Sequence, residues 1–270
     1  MPFQKVLYMR VSLLVALANV LLLSACMSGT GHLETRRSLS DTAHGFQFVS
    51  SPVRAGSAAQ RFEVRSGDCG EDTVWSDCDN NRERSEVTVE RNILPGTDRW
   101  VAYSIYLPED FYSSPAVATT LGQIHQRGGP SGTAGGLASF PPLLQIDARG
   151  NRVQACLHIL SGPANNVRDE CRVFPLTTVN AMRGRWTDIM IHLDARDEGE
   201  MEIYLNGQRR VSTTGFIRFV PREYYVKYGI YRSFVSRHGG PMPTQVAFYD
   251  EVRLEPDRAT VQVSTERPVD

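Results

Sequence analysis

The sequence predicts an all-β domain, a sandwich or jelly roll, behind an export signal. Three observations point there. Short segments of alternating apolar and polar residues fill most of the chain. Gly, Pro and Asn-Gly turn signals separate them, and helical periodicity is scarce. The length of 270 residues suits one large β domain. With 41% hydrophobic and 22% charged residues, a disordered or collagen-like chain is excluded. A net charge of −1 argues against a nucleic-acid binder, which needs excess positive charge against phosphate. Any anionic ligand must be met by local clusters of Arg and Lys.

The elements follow in chain order. Lys5 and Arg10 form a positive n-region before the apolar run Val11 to Leu23. That run of about 13 residues is too short to span a bilayer and reads as a signal-peptide core. Its end, Leu23-Ser24-Ala25-Cys26, resembles the lipobox of bacterial lipoproteins. The resemblance implies a signal peptide over 1–25 and lipidation of Cys26. Met27 in place of Asp implies sorting to the outer membrane, so the expected location is the cell envelope, reached through a lipid anchor that does not span the bilayer. Residues 26–45 are rich in Ser, Thr and Gly and are expected to be a flexible tether.

The β domain is expected over 46–256. Strand-like runs lie at Arg99–Leu107, Trp186–Leu193, Met201–Leu205, Gln208–Val211 and Val246–Leu254. Asn206-Gly207 between two of them is a hairpin signal. Gly128 to Pro142 holds five Gly and three Pro and reads as a loop near a binding surface. Residues 257–270 look like a polar, frayed tail. Trp100 and Trp186 open strands and read as core; His158 and His192 sit away from any motif and read as structural. No segment signals oligomerisation, so a monomer is expected.

Besides Cys26, four cysteines remain in two local pairs. In an exported chain they predict disulfides Cys69–Cys78 and Cys156–Cys171, each stabilising by roughly 2–3 kcal/mol. There is no C-x-x-C pair or His cluster, so no metal site is expected. The turn Asp79-Asn80-Asn81 has the oxygen-rich composition that hard cations use. No cofactor is expected.

Three segments carry chemistry. Period-two alternation puts Arg82, Arg84, Glu86 and Thr88 on one strand face and turns Val87 and Val89 to packing. Gln123 and His125 share a face while Ile124 points inward. Tyr225, Lys227, Gly229 and Tyr231 alternate onto one face, with Val226 and Ile230 on the other. Gly229, lacking a side chain, leaves room for a ligand to approach the strand. Each segment alone also has a plain reading as a wet strand face. Together they make a face of Arg, Gln, His, Lys and Tyr that suits an anionic sugar polymer: Arg pairs with carboxylates, and His accepts a proton near neutral pH.

Arg84-Ser85-Glu86-Val87, Gln123-Ile124-His125 and Tyr225-x-Lys227-x-Gly229-Ile230-Tyr231 resemble the signatures R-[ST]-E-L, Q-[IV]-H and Y-F-K-x-G-x-Y-N-Q of alginate-lyase-type polysaccharide lyases. Trp100–Pro108, Gly229–Ser233 and Tyr249–Arg253 are similar to the heparin lyase I and glucuronan lyase group. The similarity spans roughly residues 60–255. Val87 stands for Leu, Tyr228 for a small residue and Arg232-Ser233 for Asn-Gln, which turns the resemblance from alginate enzymes toward the broader group. It implies a concanavalin-like β-jelly roll with a concave substrate-binding face, and β-elimination at a uronate of an anionic polysaccharide.

The resemblance also implies roles. Arg84 and Gln123 would neutralise the carboxylate, His125 would act as base and Tyr231 as acid; in some members Tyr does both. Lys227 and Tyr225 would bind neighbouring sugars, Glu86 would orient Arg84, and Arg82, Arg127 and Arg232 are further subsite candidates. Competing readings are a noncatalytic carbohydrate-binding jelly roll, a glycoside hydrolase and a structural envelope lipoprotein. The hydrolase needs two carboxylates flanking one bond. Glu200 and Glu202 read as exposed beside a hairpin, and the adjacent Asp250 and Glu251 point to opposite faces.

Overall fold

Residues 33–73, 75–128, 140–163, 166–263, 266, 268 and 269 are described by a computed structural model. The leader, Cys26 and positions 129–139 of the glycine-rich loop lie outside them. The first strands are β1 (Thr35–Arg37), β2 (Phe46–Val49), β3 (Ala59–Val64), β4 (Arg82–Ile93) and β5 (Asp98–Tyr106). The middle of the chain forms β6 (Ala118–Arg127), β7 (Leu144–Arg149), β8 (Arg152–Ser161), β9 (Arg168–Thr178) and the single turn α1 (Val179–Met182). Then come β10 (Trp186–Asp194), β11 (Glu200–Leu205), β12 (Gln208–Thr214), β13 (Glu223–Ser233), β14 (Gln245–Glu255) and the turn α2 (Arg258–Val261).

The strands make two seven-stranded sheets. One runs β1-β4-β13-β6-β7-β8-β9 and the other β12-β11-β10-β5-β14-β3-β2. All strand pairings are antiparallel, so each strand can bury one face and wet the other. Inner-face residues of both sheets interleave in one core that includes Phe62, Val87, Val89, Ile105, Ile124, Ile230 and Leu254. This is the expected all-β sandwich. The Asn206-Gly207 hairpin joins β11 to β12, with positive φ at both residues as its tight turn requires. Both expected disulfides are present, Cys69–Cys78 and Cys156–Cys171. No helix among the described residues is long and apolar enough to cross a membrane.

Several expectations need correction. The tether is shorter than 26–45, because Thr35–Arg37 pairs with Thr88 and its neighbours on β4. Ser38 continues that contact through its hydroxyl, 2.9 Å from that of Thr88. The C-terminal segment is not frayed throughout: Val261 and Val269 are buried, and the Val269 N–H donates to Glu251. Trp100 and Trp186 lie outside the inter-sheet core. Trp100 stacks on His192 at 4.4 Å and packs with Ala102, Met190, Tyr204 and Val261 under α2. Trp186 packs on Tyr106. Both sit on the outer face of the second sheet, where a polar-rich alternation leaves shallow apolar patches that an extra segment can cap. His192 is structural as expected, with Nε2 2.7 Å from Asp98.

Candidate active site

Three adjacent strands, β4, β13 and β6, bring the candidate residues together on the open face of the first sheet. Register sets Tyr231 beside Arg84, Gly229 beside Glu86, Lys227 beside Gln123 and Tyr225 beside His125. The face lines a cleft of about 970 Å³ that takes in Arg82, Arg84, Gln123, His125, Arg127, Tyr225, Lys227 and Tyr231. The alternation that exposes them drives Val87, Ile124, Val226 and Ile230 into the core.

At the centre is Glu86, 1% exposed. Its carboxylate takes the Lys227 ammonium, the Gln123 amide and Nη1 of Arg84 at 3.3 Å. Arg84 is also gripped by Asp77 through Nε and Nη2, a two-point fork on a carboxylate with no exposure. Burial works against the Arg84 charge, yet Glu86 and Asp77 hold its pKa above the ordinary value. Burial pulls the Lys227 pKa down, with Glu86 opposing. Glu86 therefore contacts Arg84, Gln123 and Lys227 together.

Tyr231 closes one end. The Arg84 guanidinium lies 4.3 Å over its ring, and Nε of Arg82 donates to its hydroxyl at 3.1 Å. Burial raises its pKa, with Arg84 and Arg82 opposing, so the phenol stays protonated at neutral pH. His125 occupies the other end, stacked on Tyr225 at 5.1 Å, with Arg127 4.5 Å over the Tyr225 ring. Arg127 is paired to Glu223. Burial, then the positive field of Lys227, pushes the His125 pKa down to about 3. The imidazole is therefore neutral across the physiological range. Its Nδ1 lies 2.9 Å from both the Gln126 N–H, which donates to it, and the Gln126 carbonyl, so either neutral tautomer keeps one partner on the Gln126 backbone.

Arg232 is not a cleft residue. It is fully buried behind the sheet, bonded to Glu83, Gln245 and the carbonyls of Val64 and Pro243. The same alternation that turns Tyr231 outward turns Arg232 inward. Gly229 does not make room for a ligand either. It adopts φ +127°, and a Cβ there would strike the Ser85 carbonyl at 2.4 Å. The glycine serves the irregular pairing of β13, whose carbonyl at Gly229 accepts from Tyr249, 2.8 Å away. Tyr228, out of pattern for the resemblance, is accommodated in the core, where its hydroxyl donates to Gln60. The Asn80 and Asn81 carbonyls accept from Arg82 Nη1, so the oxygen-rich turn faces a guanidinium.

Asp77 escaped the sequence reading, and His158 was read there as structural and away from any motif. Asp77 sits next to Cys78, and only the disulfide loop folding back brings it under Arg84. His158 lies beside the cleft. Its Nδ1 meets Asp169 at 2.9 Å and its Nε2 meets Gln145 at 3.0 Å, and both partners line the cleft. Asp147, also lining it, accepts from Thr120, and burial raises its pKa. Period-two placement of Gln145 and Asp147 on β7, with His158 on the neighbouring β8, is the sequence signal for this second polar rank. Glu202 is tied to Tyr204 and Arg209 on the other sheet. Asp250 accepts from the Arg54 and Ala55 amides, and Glu251 pairs with Arg253. None of these carboxylates lines the cleft.

The sequence pattern of the family described as polysaccharide lyase matches residues 27–253. No curated protein matches the chain. Among solved structures, an endo-β-1,4-glucuronan lyase from the fungus Trichoderma reesei aligns with a TM-score of 0.64 at 20% identity, over 86% of this chain and 95% of that one. Alginate lyase A1-II′, a member of polysaccharide lyase family 7, aligns with 0.56 at 16% identity, over 84% and 95%. Alginate lyase PA1167 from Pseudomonas aeruginosa gives 0.53 at 16%, over 80% and 88%. At these identities the likeness is one of fold.

Proposed function

Because this chain belongs to the polysaccharide lyase family, we propose that it cleaves a uronate polymer by β-elimination. The observation that carries the reading is one cleft holding a neutral imidazole, a protonated phenol and a buried cation cluster. The similar structures are named for glucuronan and alginate, both polyuronates, which supports an anionic polysaccharide as substrate.

The residues supply each step. The C5 proton of a uronate is weakly acidic, so the adjacent carboxylate must be neutralised as charge develops on it. Arg84 uses three of its five N–H donors on Asp77 and Glu86, and Gln123 uses one of two amide N–H on Glu86. Both keep donors for a substrate carboxylate. The neutral imidazole of His125 takes the C5 proton. That electron pair forms the C4–C5 double bond as the C4–O4 bond breaks, and Tyr231 gives its proton to the departing oxygen. Solvent then returns the proton from His125 to the Tyr231 phenolate. Lys227 and Tyr225 flank the sugar, and Arg127 extends the cleft beyond His125.

Incubation with a panel of uronate polymers, followed by ultraviolet absorbance of the unsaturated end, tests this. A rise with one polymer is expected, reduced at least about 100-fold in His125→Ala and in Tyr231→Phe. Full activity in both variants would refute the assignment. We also infer export and lipid anchoring on Cys26, supported by Leu23-Ser24-Ala25-Cys26. Labelling cells with radioactive palmitate should mark the chain but not its Cys26→Ser variant; equal labelling of both would overturn this.

A further inference from the structure

The positive charges along the cleft differ in what balances them. Arg84, Lys227, Arg127 and Arg36 are each ion-paired, to Asp77 and Glu86, Glu86, Glu223 and Glu90. Arg82, Arg149 and Arg237 also line the cleft, and none of the three has a carboxylate partner among the described residues. All three gather at the Tyr231 end. Arg82 lies opposite Ser233 in the sheet, Ser233 lies opposite Ala118, and Arg149 Nε donates to Pro115 at 2.9 Å. The Tyr231 end thus gathers three guanidiniums that have no ion pair among the described residues, beside the Asp147 carboxylate, which lies opposite Thr120 and accepts from its hydroxyl.

Phe234 organises that end. It is 41% exposed on the cleft wall. Its backbone is left-handed, φ 61° and ψ 53°, a conformation a bulky side chain rarely adopts. Asn81 enforces it: the Asn81 carbonyl accepts the Phe234 N–H at 2.9 Å, and its side chain clasps Ser236 through both amide atoms. The reason for holding a Phe this way is visible in its neighbours. The Arg82 guanidinium lies 3.7 Å from the ring centroid and that of Arg237 4.2 Å. The ring thus holds two cations within about 8 Å of each other, each against its aromatic surface. Arg82 is at the same time the donor to Tyr231. Strained, exposed apolar residues held by their surroundings cluster at functional sites.

We propose that Arg82, Phe234 and Arg237 form a subsite for the carboxylate of the sugar on the leaving-group side of the scissile bond. This rests on the elimination reading, in which Tyr231 protonates the departing oxygen, so the sugar past Tyr231 is the one that leaves. The consequence is a requirement for consecutive uronates: an anionic homopolymer or block is bound across the bond, and a uronate alternating with a neutral sugar leaves these guanidiniums unpaired.

Arg237→Ala and Phe234→Ala test it, since both side chains are exposed and their loss spares the core. Affinity electrophoresis of the full chain in glucuronan, alginate and their carboxyl-reduced forms measures binding without turnover. Each variant should bind the polyuronate about tenfold more weakly, the loss of a charge-assisted contact. On the carboxyl-reduced polymer, variant and native chain should bind alike. On any polymer that is cleaved, KM should rise about tenfold while kcat falls less than twofold. Binding of the polyuronate indifferent to both substitutions, or an equal loss on the reduced polymer, would overturn the subsite. Binding that depends on Arg237 without any unsaturated product would instead count against the elimination reading.

Discussion

Replacing Glu86 by Gln should unbalance the whole cation cluster, and its size can be worked out. Glu86 is 1% exposed and faces Lys227, Arg84 and Gln123. Removing one partner of a buried ion pair costs about 3–5 kcal/mol, because the other charge is left desolvated and unpaired. Asp77 continues to compensate Arg84, so only Lys227 is stranded, and the lower end, about 3 kcal/mol, applies. For a domain of this size that lowers Tm by about 6–12 °C. The new amide also points N–H groups at donors, so Arg84 and Gln123 lose their common anchor. Activity on a cleaved polymer should fall more than about tenfold at a temperature where the variant is folded. The companion is Glu86→Gln with Lys227→Met, which removes the stranded ammonium and should regain at least about half of the lost stability, a coupling of the kind contacting residues show. Thermal unfolding followed by circular dichroism reads both. A Tm drop under about 2 °C, or a double variant whose loss is the sum of the single ones, would refute the hub.

Other perturbations separate structural from chemical roles. Arg232→Met should cost about 3–5 kcal/mol by stranding Glu83, with KM unchanged in the fraction that folds; a raised KM with native stability would return Arg232 to the substrate. With the His125 pKa pushed down to about 3, kcat/KM should hold level from pH 8 down to about 5. An acid limb near pH 6.5 that disappears in the His125 variant would contradict it. The same shift affects stability: below about pH 6.5 the unfolded chain takes up this proton before the folded one, so His125 makes the fold less stable as pH falls toward 3. Replacing Cys69 and Cys78 by Ser should remove about 2–3 kcal/mol and, by loosening Asp77 under Arg84, lower kcat/KM further in still-folded protein. Native kinetics in that variant would show that the loop does not support the site.

Much of the site was legible in sequence because strand geometry has a period of two. Arg84, Glu86, Gln123, His125, Tyr225, Lys227 and Tyr231 sit at positions of one parity within each segment, so one face could be read without knowing the strand order. The same rule carried the inward turn of Val87, Ile124 and Ile230, and applied consistently it also excludes Arg232. The Asn206-Gly207 hairpin and the two disulfides were local in sequence and hence visible. The strands β4, β13 and β6 are neighbours only through pairings separated by up to 151 positions, such as Arg82 with Ser233. Nothing in a single chain of residues states that order.

What the sequence determined by itself is the class of fold and the chemistry of one face, since alternation and turn residues act within a few positions of the chain. The tertiary structure decided how those charges are balanced. It placed Asp77 beneath Arg84 by closing a disulfide loop, made Glu86 a shared counter-ion and put His158 beside the cleft. It bent Phe234 into a left-handed turn against Asn81 and turned Gly229 from an opening into a packing contact. Burial and electrostatic compensation depend on which groups approach through space, and those partners come from strands and loops far apart in the chain.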